Sequence, residues 1–122
     1  AGGSSKVLLA HAPPEVIDEV IHGPLEKFTD ATITDPAQLR RLLTDIKNSG
    51  YHFSEDDLDV GAFSVAAPIW GPAGNVIAAL SIAGPVFRLT PKIRETHTRA
   101  VREAAERLSV QLGARRRITA MP

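Results

Sequence analysis

Residues 61–85, GAFSVAAPIWGPAGNVIAALSIAGP, constrain the fold more than any other stretch, because two apolar runs of strand length flank Gly71-Pro72-Ala73-Gly74. Turn chemistry between two such runs predicts an antiparallel hairpin with a slightly long loop. If Trp70 closes that loop opposite Asn75, the register follows: Phe63 faces Ile82, Val65 faces Leu80, Ala67 faces Ala78 and Ile69 faces Val76. Strand side chains alternate, so these residues share one bulky side. The reverse side then holds Ala62, Ser64 and Ala66 opposite Ala83, Ser81 and Ala79. It has almost no volume and carries two hydroxyls. The bulky face demands a helix or a second sheet, whereas the small face admits either a closely packed helix or a small ligand.

Helix signals surround the hairpin. Ser4 to Ala10 follows two glycines and reads as a short helix, ended by Pro13-Pro14. A second helix starts at those prolines, with Val16, Ile17, Val20 and Ile21 at helical spacing and Gly23-Pro24 as its stop. Residues 25–33 form an irregular connection. Asp35-Pro36-Ala37-Gln38 then supplies an N-cap, proline at the first helical position and a following glutamine, which together open a third helix. Leu39, Leu42, Leu43 and Ile46 form its apolar stripe, and Gly50 stands where a left-handed residue ends such helices. Residues 51–53 read as a short strand, followed by an acidic loop at 55–59. Thr90-Pro91 caps a long final helix whose stripe is Ile93, His97, Val101, Ala104, Leu108 and Leu112.

Two long strands and one short one make a small sheet for four helices. That shortage predicts that further strands, from an upstream segment or another chain, complete it. Met121 is the only methionine, which also predicts an upstream segment. At 122 residues the chain is of single-domain size, and its charges balance to zero, so it lacks the overall basic footprint of a nucleic-acid binder. The basic cluster Arg115-Arg116-Arg117 reads as a solvated tail. No cysteine is present, which removes disulfides and thiolate zinc sites from consideration. No apolar run reaches membrane-spanning length and no leader pattern opens the chain, so a soluble protein with no membrane partner is expected.

Few residues invite catalysis. Ser64 and Ser81 lack a nucleophile elbow and have no histidine placed beside them by local spacing, so a binding role suits them better. The glycines of Ala1-Gly2-Gly3-Ser4-Ser5-Lys6 would expose N–H groups at a helix start, where the helix dipole favours an anion, although the phosphate-loop spacing is absent. His11, His22, His52 and His97 show no close metal-ligand spacing, and Glu55, Asp56, Asp57 and Asp59 lack the alternation of a calcium loop. Neither a catalytic residue, a metal site nor a cofactor is expected.

The order FTDATITDP, a helix, NSGYHFSEDD, SVAAPIW, a turn, AALSIAGPVFRLT and a terminal helix resembles the carboxy-terminal effector-binding domain of IclR-type bacterial transcription regulators, over about residues 3–113. The resemblance implies a GAF-like or profilin-like α/β (α+β) domain, with an antiparallel sheet flanked by helices and its first strands lying upstream. It implies an effector-binding domain at residues 1–113, a basic tail at 114–122, and DNA contact only through a winged helix-turn-helix that precedes it. A cytoplasmic homodimer or homotetramer that senses a small molecule, with a carboxylic acid as effector, is the expectation; a structural oligomerisation module without effector is the alternative. Matching motif positions carry the family pocket onto Gly3, Ser4, Ser54, Ser64, Ser81 and Ala83. Ser54 stands where an acidic residue is frequent and Ala83 where a serine often lies, which implies a less polar pocket and an aromatic or longer aliphatic acid.

Overall fold

A computed structural model describes residues 2–56 and 60–114. Asp57, Leu58, Asp59, the Arg115-Arg116-Arg117 cluster and Met121 lie outside the described residues. Among the described residues, four α-helices and three strands follow one another as α1 (Gly3–Ala10), α2 (Pro14–His22), α3 (Pro36–Ser49), β1 (His52–Glu55), β2 (Ala62–Trp70), β3 (Val76–Pro85) and α4 (Pro91–Gln111), with a 3-10 turn at Val86–Arg88. The strands form one antiparallel sheet in the order β1-β2-β3. The architecture is therefore α+β, with helices on both faces of an antiparallel sheet.

Local chemistry accounts for the helix boundaries. Thr90 accepts a hydrogen bond from the Ile93 amide at 3.1 Å, and Pro91 fills the first helical position of α4, whose N–H would have no partner inside the helix. Asp35 takes the same position before α3 and Pro36 follows it, yet the Asp35 side chain makes no capping bond; its carbonyl accepts from Leu39 instead. Gly50 closes α3 at φ 82°, a left-handed conformation that costs a β-carbon residue about 1 kcal/mol or more, and its N–H bonds to Ile46 O. The turn frees the chain to enter β1 directly.

The two sheet faces carry separate cores. On one, Val65, Ala67 and Ile69 of β2 pack with Val101 and Ala105 of α4, and Leu80, Ile82, Phe53 and Tyr51 extend the cluster. On the other, Ala66 meets Val7 and Ala10 of α1, and α2 and α3 close over α1 with Ile21, Leu39, Leu43 and Ile46. The expected small and bulky faces are thus real. At roughly 25 cal/mol per Å² of apolar surface removed from water, the bulky face contributes more per residue than its alanine-lined reverse.

Two expectations need correction. The strands pair as Val65↔Ile82, Ser64↔Ala83 and Ala66↔Ser81, so Ser64 and Ser81 are not opposite each other. Trp70 pairs with Val76, and an irregularity between Ile69 and Trp70 carries Ile69 past Ile77 to Ala78. The longer loop and this bulge each displace the register by one residue. Their sum is two, which restores every side chain to its expected face while changing its partner. The α4 stripe also differs: Val101, Ala105 and Ser109 are buried, while Leu108 and Leu112 remain 37% and 50% exposed. The contact line keeps to the inclined row of residues four apart, as expected for a helix crossing a twisted sheet. A polar reason reinforces it, because Ser109 Oγ donates to Ala105 O and accepts from Trp70 N, both at 2.8 Å. Ser109 thereby satisfies the strand end where the bulge interrupts the ladder.

Candidate effector site

Gly3, Ser54 and Ser64 come together beneath the start of α1. The register of the short strand sets Ser54 of β1 directly across from Ser64 of β2, and their hydroxyl oxygens lie 2.9 Å apart, one donating to the other. Ser54 is buried, so this bond keeps a pair of enclosed hydroxyls satisfied. Gly3 rests on Ser64 and Ala66. A β-carbon at Gly3 would stand 2.8 Å from Ser64 Oγ and 3.4 Å from Ala66 Cβ, so any larger residue there would force the Ser64 hydroxyl aside or lift α1 from the sheet.

Ser81 and Ala83 lie on the same face one strand further out. Cross-strand pairing puts Ala83 beside Ser64 and Ser81 beside Ala66, and both β3 residues are exposed. The helix α1 thus reaches all three strands, with Ala79 of β3 packed in its core, while Ser81 and Ala83 stay exposed at the side of the floor. Ser4, half-buried, is the second residue of α1. Gly2 precedes the helix at φ 87° and offers no side chain, so the first-turn amides of α1 have no side-chain cap. Partial positive charge collects at such a helix end and favours an anionic group.

Sequence spacing placed Ala66 on this floor but missed His52. His52 precedes Ser54 by two positions and pairs with Ala66, which places it on the same face. Period-two alternation along β1 was the available signal; the strand is simply too short to declare it. The floor is tied to the rest of the fold through the chain leaving β1. Asp56 adopts φ 60°, its carboxylate accepts from Gly61 N at 2.6 Å, and its carbonyl accepts from Thr29 Oγ1. Thr32 Oγ1 in turn accepts from the amides of Phe28 and Thr29. This staples the irregular segment 28–32 to the end of β1.

A cavity of about 260 Å³ lies on the other flank of α1, between α1, α2 and the segment following α2, with Lys6, Leu9, Leu25, Phe28 and Ile33 among its walls. None of the six candidate residues lines it. Among the described residues, no group of three or more histidine, aspartate or glutamate side chains is placed to hold a metal ion, and no helix is long and apolar enough to cross a membrane.

Comparison with known proteins gives this geometry a context. Residues 1–110 match the family described as bacterial transcriptional regulator IclR C-terminal. The HTH-type transcriptional regulator BhcR of Paracoccus denitrificans is 38% identical over 117 residues, which are 95% of this chain and 42% of that protein. The chain thus spans about two-fifths of the length of the curated relatives it matches. A putative IclR transcriptional regulator from Silicibacter superimposes with a TM-score of 0.91 at 31% identity, covering 99% of this chain and 47% of its own. An IclR homologue from Microbacterium hydrocarbonoxydans, solved in complex with 4-hydroxybenzoate, superimposes at 0.81 with 38% identity over 89% of this chain and 43% of its own. A small-residue floor beneath a glycine-led helix, the α+β fold around it and a family match along nearly the whole chain agree: the protein belongs to the IclR family of bacterial transcriptional regulators, as its C-terminal domain.

Proposed function

We propose that this chain senses a small carboxylate, bound over the floor formed by Gly3, Ser4, Ser54, Ser64, Ser81 and Ala83, and that occupancy alters DNA binding by a separate module of the full regulator. The observation that carries this reading is the Ser54–Ser64 hydroxyl pair beneath the uncapped start of α1. Hydroxyls and first-turn amides together supply hydrogen bonds to an oxyanion, and the alanines beside them leave space for apolar substituents. The Microbacterium relative's complex with an aromatic acid is consistent with that chemistry. We assign residues 1–113 to the sensing domain and 114–122 to a tail. The regulator works as a homodimer or homotetramer in the cytoplasm, and binding shifts the arrangement of its subunits only as far as the ligand's affinities for the two arrangements differ.

Thermal unfolding with a panel of aliphatic and aromatic acids tests the reading. A fitting acid present at a hundredfold excess over its dissociation constant stabilises by about 2.7 kcal/mol, and aromatic or longer aliphatic acids should outperform glyoxylate. Tight binding of glyoxylate without response to aromatic acids would reject the less polar pocket. A second reading, a structural module with no effector, draws on the close seat of Gly3 on Ser64, which already fills part of the floor. A folded protein that responds to no acid would favour it.

A further inference from the structure

The opposite side of the sheet carries an inference that does not depend on the effector reading. A groove of about 450 Å³ runs between α4 and Tyr51, the residue leading into β1. Arg94, Thr98 and Arg102 line it from α4 at intervals of four residues and therefore share one stripe of the helix. Each arginine is laid on an aromatic ring: the Arg94 guanidinium carbon lies 4.1 Å from the Phe53 ring centre, and that of Arg102 lies 4.8 Å from the ring centre of Tyr51. Tyr51 and Phe53 stand two residues apart, so their rings take the same side of the chain, and both arginines line one groove. Each guanidinium can donate to an oxyanion held in that groove.

The donors for such a bond are available. Stacking occupies the faces of a guanidinium and leaves its N–H edge free. Arg102 Nη2 donates to Ser49 O at 3.2 Å and its Nε is buried, so Nη1 is the donor left to meet a ligand. Neither Arg94 nor Arg102 makes an ion pair among the described residues. Glu95 and Glu103 also face the groove, and each stands four residues from Arg99, the third arginine of the wall, where the helix pairs opposite charges. Three arginines against two glutamates leave the groove wall with a small excess of positive charge, and the Arg94–Thr98–Arg102 stripe itself carries no acid.

We propose that this groove is a second ligand site, which holds the oxyanion end of a small molecule, a phosphate or a carboxylate, between Arg94 and Arg102 with the Thr98 and Tyr51 hydroxyls as further donors. It lies across the sheet from Ser54 and Ser64, so the two sites can be emptied separately. Amide NMR titrations of this chain with inorganic phosphate and, separately, with acetate at constant ionic strength provide the test. Saturable shifts at Thr98, Arg102 and Tyr51 are expected, weakened at least tenfold in Arg94→Ala and in Arg102→Ala and unchanged in Arg107→Ala. A response to phosphate alone assigns a phosphate ligand, and a response to acetate alone assigns a carboxylate. Arg94 is exposed, so its alanine variant decides the matter even if Arg102→Ala fails to fold. Absence of saturable shifts with either anion, shifts that persist in Arg94→Ala, or equal weakening in Arg107→Ala would overturn the site.

Discussion

The two faces of one sheet divide the work of this domain. Toward α4, Phe63 stacks on Phe53 with ring centres 5.7 Å apart, meets His97 edge-on at 6.1 Å and sits over Gly84, so the face is closed by volume. Toward α1, the sheet's side chains are serine and alanine, the absence of a β-carbon at Gly3 lets the helix approach closely, and Ser81 and Ala83 of β3 stay exposed. Dense apolar packing resists any change of volume, whereas a shallow floor with satisfied hydroxyls can accept a guest at little cost. Alternate residues of the single strand β2 thus serve two different surfaces, a bulky one under α4 and a small, hydroxyl-bearing one under α1.

The largest expected effect tests the closed face. Phe63→Ala removes a 5%-exposed ring and should cost about 3–5 kcal/mol in denaturant unfolding; a loss below 1 kcal/mol would show that the bulky face is not the stabilising one. An intermediate effect is expected at the seat of α1. Gly3→Val drives a branched side chain into Ser64 Oγ and Ala66 Cβ, and should destabilise by about 1–3 kcal/mol while abolishing any ligand-dependent rise in the unfolding midpoint. The smallest effect on stability belongs to the exposed side of the floor. Ser81→Leu on exposed β3 should change stability by no more than about 0.5 kcal/mol and yet eliminate the acid response. Unfolding of that variant would mean that the floor is packed in solution, and the contrast between the faces would fail.

Much of this contrast was legible in the residues. Alternation along residues 62–69 sorted large from small side chains correctly, and the proline and glycine punctuation placed α2, α3, Gly50 and the Thr90 cap where the structure has them. Partner assignment was not legible. The expectation of Ser64 opposite Ser81 failed because a loop one residue longer and a bulge past Ile77 leave no trace in the hydrophobic pattern when their combined shift is even. The α4 stripe failed for a related reason. Leu108 and Leu112 satisfy helical periodicity, but only the crossing of α4 over the twisted sheet decides that Ala105 and Ser109 face inward.

By itself, then, the amino-acid sequence determined the order of helices and strands and which face of β2 each side chain takes, because backbone propensity and alternation are local properties of the chain; it set the short strand at 51–53, and pairing with β2 moved it to His52–Glu55 and brought Ser54 into the sheet. The tertiary structure alone decided that Ser64 shares its hydrogen bond with Ser54 of β1, that Gly3 rests on Ser64 and Ala66, and that the guanidiniums of Arg94 and Arg102 lie over the rings of Phe53 and Tyr51. Those juxtapositions join residues from ten (Ser54 and Ser64) to 63 (Gly3 and Ala66) positions apart, and their distances depend on strand register, helix crossing and side-chain volume acting together. No spacing along the chain encodes them.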